Sequence, residues 1–227
     1  MTGPLGPASL TTDVEPLPAQ AEAVFGERLP QAVGYVDLLA TAGVERGLIG
    51  PRERPRLWSR HVLNSAAVAP ALPSTDGPLE VVDIGSGAGL PGIPLALARP
   101  DLQMTLLEPL ARRVVFLDET VAALGLSIKV IRGRAEEIAE PRWDVAVARA
   151  VAPLERLVVL ASRLVRPGGT LLAVKGRTVA AEVAAAASVI RRRSTRPAEV
   201  LTFGDDASGA TVVRVLLDRP RPRGRVS

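Results

Sequence analysis

The strongest constraint on the fold of this chain is a strand-loop-helix segment, which reads Val-Val-Asp-Ile-Gly-Ser-Gly-Ala-Gly-Leu-Pro-Gly over residues 81–92. The mostly apolar run from Leu79 to Ile84 predicts a buried strand, because strands of a parallel sheet are covered on both faces. Glycines then alternate through a loop almost without side chains, and Pro91 suits the first turn of a helix. Ligands of open α/β sheets bind at this end of the strands, so a small ligand is expected to approach this backbone closely.

Two kinds of ligand fit such a loop. Residues 87–92 satisfy the G-x-G-x-x-G pattern of dinucleotide-binding proteins. A pyrophosphate, however, uses free N–H groups at the helix start, where Pro91 supplies none, and the carboxylate of Asp83 repels it. S-adenosylmethionine has no phosphate, and a carboxylate attracts its ammonium group. We therefore predict S-adenosylmethionine binding by Asp83, Gly85, Gly87 and Gly89; the structural alternative is a tight turn that binds no ligand.

A second acidic residue supports nucleoside binding. Glu108 ends the next apolar strand, Met104 to Leu107, about 20 residues after the glycines, where an acid can accept both ribose hydroxyls. Either nucleotide would need this acid, so Glu108 does not choose between them. The alternative is that Glu108 only caps the helix that starts near Leu110.

The order of predicted elements gives the fold class. Strands near 79–84, 102–108, 127–132, 143–149 and 168–175 alternate with helices near 91–99, 110–124, 153–165 and 178–191, which predicts a doubly wound parallel sheet. Two β-rich segments, 199–203 and 211–217, predict a hairpin at the sheet edge. We expect an α/β fold with a mostly parallel seven-stranded sheet of the class I S-adenosylmethionine methyltransferase type.

An N-terminal helical cap is predicted to precede this sheet. Apolar residues recur at helical spacing between Leu29 and Ala40, and a second helix is expected to begin near Pro55. The resulting division is a disordered segment over 1–18, the cap over 19–75, the Rossmann-like core over 76–218 and a basic tail over 219–227.

Composition excludes several classes of chemistry. The chain has 227 residues, 47% of them hydrophobic, and no cysteine, which rules out disulfides, thiolate metal sites and a cysteine nucleophile. No metal site is expected. No leader segment or membrane-length apolar run is found, so we predict a cytoplasmic protein that does not contact membranes.

Basic residues indicate an RNA partner. Lys129 and Lys175 are the only lysines among 28 basic residues, and arginine is the better phosphate ligand because its planar fork bonds bidentately. Clustering is more informative than the total, which a compositional bias of the genome also explains. The expected RNA contacts, all basic, are Arg52, Arg54, Arg56, Arg60, His61, Arg112, Arg113 and Lys175. A second group of arginines, at 219, 221, 223 and 225, ends the chain.

The chain resembles the glucose-inhibited division protein B family, the bacterial small-subunit ribosomal RNA methyltransferases G. The resemblance covers about residues 33–217 and is most specific in the Gly-Leu-Pro-Gly-Ile-Pro-Leu run over 89–95. Further matching motifs are Arg-Arg-Val-Val-Phe-Leu at 112–117, Arg-Ala-Glu-Glu at 134–137, Ala-Arg-Ala at 148–150 and Val-Lys-Gly at 174–176. Residues 43–50 depart from the family pattern of Trp-Asn followed by Asn-Leu-Thr.

The resemblance implies both a reaction and a set of cofactor contacts. The implied reaction is methylation of N7 of a guanine in the 530 loop of 16S ribosomal RNA, by a protein expected to be a monomer. The implied contacts to S-adenosylmethionine are Gly85, Leu90, Ala135, Glu136 and Arg149. Glu136 is expected near the adenine, or alternatively as a surface acid paired with Arg134.

Motifs that the sequence lacks agree with guanine N7 as the acceptor. Carbon methylation of pyrimidines normally needs a cysteine, and residues 148–151 read Ala-Arg-Ala-Val where exocyclic-amine enzymes carry an Asn/Asp-Pro-Pro-aromatic loop. Ribose methylation remains possible through Lys175. Guanine N7 has a ready lone pair and needs no general base, so no catalytic residue is assigned, and Arg149 and His61 are positioning candidates.

Three other functions remain open at this stage. A nicotinamide-dependent oxidoreductase would need a proton-relay tyrosine near a lysine, yet the single tyrosine, Tyr35, belongs to the predicted cap. The others are a methyltransferase acting on another RNA and a nucleotide-binding RNA chaperone without enzymatic activity.

Overall fold

The computed structural model describes residues 13–205 and 208–219 and contains the seven-stranded sheet that the sequence predicts. The strands are β1 (Leu79–Ile84), β2 (Leu102–Glu108), β3 (Lys129–Arg132), β4 (Trp143–Arg149), β5 (Val165–Lys175), β6 (Glu199–Phe203) and β7 (Ala210–Leu217). Their spatial order is β3-β2-β1-β4-β5-β7-β6. All neighbours are parallel except those of β7, which runs antiparallel to both β5 and β6. The predicted hairpin is therefore confirmed, with its second strand inside the sheet.

Helices cover both faces of this sheet. They are α1 (Gln20–Phe25), α2 (Leu29–Leu38), α3 (Asn64–Ala66), α4 (Gly92–Ala98), α5 (Ala111–Ala123), α6 (Leu154–Leu164) and α7 (Val179–Arg193). The buried side chains of α4 and α5 pack in one hydrophobic cluster with the cap, and those of α6 and α7 pack in a second cluster on the other face. The doubly wound α/β prediction is confirmed, and its element boundaries agree within a few residues.

The cap contains less regular α-helix than its apolar spacing predicts. Leu39–Gly43 and Leu57–Leu63 are π-helical, and Pro51–Arg56 forms 3-10 turns instead of the start of an α-helix. Pro55 has no N–H to donate and disfavours α-helical angles at the residue before it, so the longer helical run begins only at Leu57. π-helical turns within helices are often found at functional sites.

The cap shares its hydrophobic core with one face of the sheet. Tyr35, Leu39 and Leu57 are fully buried and belong to the same cluster as Val81 and Leu106 of the strands. The Tyr35 hydroxyl also donates a hydrogen bond to the carbonyl of Ala88 in the glycine loop, at 2.8 Å. The cap is thus packed directly against the elements that carry the expected ligand loop.

The structure describes only part of each end of the chain. Residues 1–12 and 220–227 lie outside the described residues, and so do most of the segments expected as a disordered N-terminus and a basic tail. Residues 13–18 have no helix or strand, but the Glu15 carboxylate accepts a hydrogen bond from the Ser59 N–H at 2.9 Å. Within the described ranges, no helix has the length and apolar character needed to cross a membrane.

Candidate functional site

The glycine loop that follows β1 has two half-buried glycines with left-handed backbone, and there is open space beside only one of them, Gly87. Gly85 and Gly87 have φ angles of +67° and +60°, which side chains rarely adopt. A Cβ on Gly87 would meet no atom closer than 3.9 Å, whereas one on Gly85 would lie 3.0 Å from a methyl group of Val151. Open backbone at the carboxyl ends of β1 and β4 gives a ligand close access to the main chain.

The other two glycines of this motif are required by packing. A Cβ on Gly89 would lie 2.4 Å from Ile93 Cδ1 and 3.1 Å from the Tyr35 hydroxyl, both in the buried core. A Cβ on Gly92 would lie 2.4 Å from a methyl group of Leu106. Packing alone thus explains Gly89, which was expected to bind the cofactor. Leu90, the neighbouring candidate, is half-buried against the core that the cap shares.

Asp83 does not present its carboxylate to the cleft, as the sequence suggested. Its side chain is fully buried; Oδ2 accepts a hydrogen bond from the Gly92 N–H at 3.0 Å, and Oδ1 has no partner among the described residues. Burial raises the pKa of Asp83 from 3.8 to about 7. The carboxyl group therefore holds the start of α4 from a position shielded from the cleft.

This raised pKa gives a testable pH dependence of stability. An acid whose pKa is higher in the folded state stabilises the fold at low pH, and that contribution is lost as pH rises from about 4 through about 7. Between pH 5 and pH 8 the loss should be on the order of 2 kcal/mol, at about 1.4 kcal/mol per pKa unit. Urea unfolding at both pH values should show a smaller difference for Asp83→Asn than for the unaltered protein. Identical differences in the two proteins would contradict a raised pKa.

Glu108 makes the capping contact that was expected as its alternative role, and it also contacts the glycine loop. The carboxylate is 1% exposed and accepts hydrogen bonds from the Gly87 N–H at 2.9 Å and from the Leu110 N–H at 3.0 Å. It therefore caps the turn before α5 and also fixes the open part of the glycine loop. Arg113 lies 3.6 Å from the same carboxylate, beside Gly87, so this arginine faces the cleft and not a separate RNA surface. Arg112 is exposed.

Arg149, at the end of β4, connects the sheet to the cap. Its guanidinium donates hydrogen bonds to the carbonyl oxygens of Arg60 and His61, at 2.9 and 3.2 Å, and to the Ser65 hydroxyl at 2.9 Å. Asp144, near the start of the same strand, pairs with Arg166 and not with Arg149. The geometry thus brings together the two positioning candidates, Arg149 and His61.

His61 is engaged within the cap. Its Nε2 lies 2.8 Å from Glu53, and its Nδ1 lies 3.2 Å from Arg149. Burial lowers the pKa of His61, with the positive charge of Arg149 acting in the same direction, so the ring is mostly neutral at pH 7. Burial raises the pKa of Glu53, but hydrogen bonds from His61 and Arg56 outweigh it, and the net pKa is lowered.

The arginines before His61 differ in how available they are. Arg56 pairs with Glu53 at 2.6 Å, and the Arg54 Nε donates to the Ala40 carbonyl at 2.9 Å. Arg52 is exposed, and Arg60 keeps 62% of its side chain exposed with only a 3.6 Å contact to Glu53. The expected phosphate-binding cluster is therefore in part a set of intramolecular contacts, and Arg52 and Arg60 are its freest members.

The turn after β3 carries two further cofactor candidates. Ala135 is buried, and the Glu136 carboxylate is 46% exposed and lies 3.3 Å from Arg156. Arg134 instead takes part in capping this turn together with Glu137. Glu136 is a surface acid, as the alternative expected. Its partner, however, is Arg156 and not Arg134, so that part of the alternative is wrong.

A cavity of about 970 Å³ adjoins the glycine loop at the carboxyl ends of β4 and β5. Val151, which contacts Gly85, forms part of its wall, and Ala150 before it has a left-handed φ of +54°. Cations dominate the lining, namely Arg60, Arg149, Lys175 and Arg177. Strained backbone at such a position points to function.

Lys175 is oriented within this cavity by neighbours. Its side chain is 8% exposed; Nζ donates to the Ala152 carbonyl at 2.9 Å and pairs with Glu182 at 2.7 Å. Because these two contacts occupy the Lys175 ammonium group and the side chain is nearly buried, they argue against Lys175 as a direct RNA contact. Sequence reasoning missed Val151, Arg177 and Glu182, because no local pattern indicates that residues after β4 and β5 share one cavity.

Comparisons with known proteins agree with this geometry. The sequence model of the family described as rRNA small subunit methyltransferase G matches residues 28–209. A protein named ribosomal RNA small subunit methyltransferase G from Kineococcus radiotolerans is 55% identical over 205 residues, covering 88% of this chain and 80% of the relative. One of the same name from Streptomyces coelicolor is 50% identical over 212 residues, covering 91% and 87%.

Solved structures that resemble this chain support its fold but not a particular activity, because their sequence identity is low. The S-adenosylmethionine-dependent methyltransferase SibL in its apo form has a TM-score of 0.56 at 20% identity, covering 84% of this chain and 70% of that one. A putative S-adenosylmethionine-dependent methyltransferase from Methanococcus maripaludis has a TM-score of 0.53 at 15% identity, covering 85% and 95%.

Proposed function

Because this chain belongs to the rRNA small subunit methyltransferase G family, we propose that it transfers the methyl group of S-adenosylmethionine to N7 of a guanine in 16S ribosomal RNA. The proposal includes the 530 loop as the target, a cytoplasmic location and action as a monomer. One observation carries it: the cationic cavity and the open glycine loop meet at the Val151–Gly85 contact, so a base in the cavity lies beside a cofactor on the loop.

The residues of the cleft fit S-adenosylmethionine better than a dinucleotide. Gly87 leaves room for close approach, and the Glu108 carboxylate bound to its N–H favours a cation over a pyrophosphate. When bound, the cofactor supplies an electrophilic methyl group. In this proposal Glu108 holds the ribose hydroxyls, the turn at Ala135 and Glu136 adjoins the adenine, and Arg149 fixes the cap over the cleft.

Catalysis in this proposal consists of positioning. Guanine N7 attacks through its own lone pair, so the protein must hold the base in line and remove no proton. His61 agrees with such a role, because it is mostly neutral at pH 7 and is bound to Glu53 within the cap. The oxidoreductase alternative lacks support, since Tyr35 is fully buried and donates to Ala88.

RNA docking is proposed to use the two available arginines of the cap. In an Arg52→Gln, Arg60→Gln double variant, RNA binding should weaken, and its log–log salt dependence should flatten by about 1.4–1.8, at roughly 0.7–0.9 per lost phosphate contact. Filter binding across a salt series measures this slope. A matched control is Arg99→Gln, Arg166→Gln, which removes two arginines that already have carboxylate partners. If both double variants keep the original slope, the docking surface lies elsewhere.

The decisive test of the function is direct methyl transfer. The protein is incubated with methyl-labelled S-adenosylmethionine and small ribosomal subunits from a strain lacking the family enzyme. We expect one labelled guanine, whose N7-methylated site is mapped by borohydride and aniline cleavage. Label on another nucleotide would redirect the proposal to a different RNA target, and absence of label would overturn it.

A further inference from the structure

The cavity beside the glycine loop contains one acidic side chain among its cations. Among the lining residues that the structure describes, only Glu182 carries a carboxylate, whereas Arg60, Arg149, Lys175 and Arg177 are positively charged. The flanking phosphates of an RNA strand explain the cations at the rim, where Arg60 and Arg177 are exposed. They do not explain a carboxylate, which phosphates repel.

Glu182 is held in a defined orientation. Its Oε2 accepts from the Lys175 Nζ at 2.7 Å and from the Leu154 N–H at 3.3 Å. Its Oε1 has only a long contact of 3.5 Å with the Thr178 hydroxyl, and the side chain remains 27% exposed. A carboxylate has about four lone-pair positions, so this group keeps acceptor capacity for a ligand in the cavity.

We infer that Glu182 selects guanine by accepting hydrogen bonds from N1–H and the N2 amino group of the target base. This inference rests on the proposed N7 methylation and adds the recognition of the base. Guanine presents two adjacent donors on that edge, and the two lone-pair positions of Oε1, which has only the long Thr178 contact, can accept both. Adenine presents a lone pair at N1 and no amino group at position 2, so its edge would leave a carboxylate facing another acceptor.

The position of Glu182 agrees with the direction in which N7 must point. The loop over 150–153 separates Glu182 from the glycine loop: Val151 contacts Gly85 on one side, and the N–H of Leu154 contacts Glu182 on the other. In a purine, N7 lies on the five-membered ring and N1 lies on the far side of the six-membered ring. Val151 and Glu182 line the same cavity, so a guanine bound there can turn N7 toward the side of Val151, where the cofactor lies in the proposed function, and its N1/N2 edge toward Glu182. Lys175 acts as a positioning residue that orients the carboxylate.

The test replaces the target guanosine with inosine, which keeps N7 and N1–H but lacks the N2 amino group. Small subunits are reassembled with 16S ribosomal RNA into which a synthetic fragment carrying either nucleoside has been ligated. For the unaltered protein, kcat/KM should be about 10-fold or more lower for inosine, because a hydrogen bond to a charged group is lost. In Glu182→Gln and Glu182→Ala, the rate for guanosine should fall and the guanosine-to-inosine ratio should approach one.

Controls separate recognition from folding and from the proposed function. Glu155→Gln removes an exposed carboxylate of α6 outside the cavity lining and should keep the original ratio. S-adenosylmethionine affinity should be unchanged in Glu182→Gln, and circular dichroism at the assay temperature should show it folded, although its unfolding temperature should fall because Lys175 loses its carboxylate partner. A purely structural Glu182 would lower both rates equally and leave the ratio intact, which overturns the inference while methyl transfer to guanosine stands. No transfer to guanosine by the unaltered protein would overturn the proposed function and this inference with it.

Discussion

An Arg149→Met variant should have a free energy of unfolding lower by about 2–4 kcal/mol, because each hydrogen bond to a charged group contributes about 1.5–3 kcal/mol and part of this is regained by burying methionine. Three such bonds join Arg149 to the carbonyls of Arg60 and His61 and to Ser65. Without them the π-helical segment Leu57–Leu63 loses its connection to β4. Urea unfolding measures the loss of stability.

Methyl transfer by the same variant should slow by about 100-fold or more, since a displacement of about 1 Å can cost that much in a reaction that depends on positioning. Arg149→Lys is the informative comparison, because it keeps the charge but cannot present the guanidinium fork to three acceptors. It should retain cofactor binding better than Arg149→Met and still transfer slowly. If Arg149→Lys behaved like the unaltered protein, charge alone would matter and the connection to the cap would not.

A Gly92→Ala variant should also lose about 2–4 kcal/mol of stability, although alanine favours helices over glycine by about 1 kcal/mol. The added methyl group would lie 2.4 Å from Leu106 and 2.8 Å from the Asp83 Oδ2, in a fully buried region. Overpacking and the weakened Gly92 N–H bond to Asp83 therefore outweigh the gain in helix propensity. Because Asp83 precedes the glycine loop, S-adenosylmethionine affinity should fall as well.

Gly77→Ala is the matched control for this substitution. A Cβ at residue 77 would meet no atom within 4 Å, so its effect on stability should stay within about 0.5 kcal/mol. Calorimetry and urea unfolding of both variants measure affinity and stability. A Gly92→Ala protein as stable as the Gly77→Ala protein would show that α4 shifts to accommodate the methyl group.

Local sequence patterns predicted the sheet because its determinants are themselves local. The apolar run Leu79–Ile84, the glycines after it and the two late β-rich segments each specify an element without reference to distant residues. The cap was less predictable. Apolar spacing indicates a helix but does not distinguish α from π or 3-10 geometry, which here depends on Pro55 and on packing against the sheet.

The features of the site that depend on local backbone conformation could be predicted from the sequence. Those that depend on packing between distant segments could not. Left-handed glycines at 85 and 87 could be anticipated from the motif, whereas the packing of Gly89 against Tyr35 joins segments that are far apart in the chain. Asp83 was placed correctly at the end of β1, but its burial against the Gly92 N–H depends on how α4 starts. The Lys175–Glu182 pair likewise depends on the position of α7 beside β5.

The placement of β7 between β5 and β6 bears on how the chain matures during synthesis. The ladder that pairs Gly169 with Leu217 and Lys175 with Thr211 uses a strand that is synthesised after the six other described strands. Until residue 217 has left the exit tunnel, β6 has no partner, and Gly209 and Thr211 cannot complete the wall of the cavity. The cavity wall is therefore complete only after β7 has paired with β5, so a chain synthesised no further than β6 has an incomplete cavity.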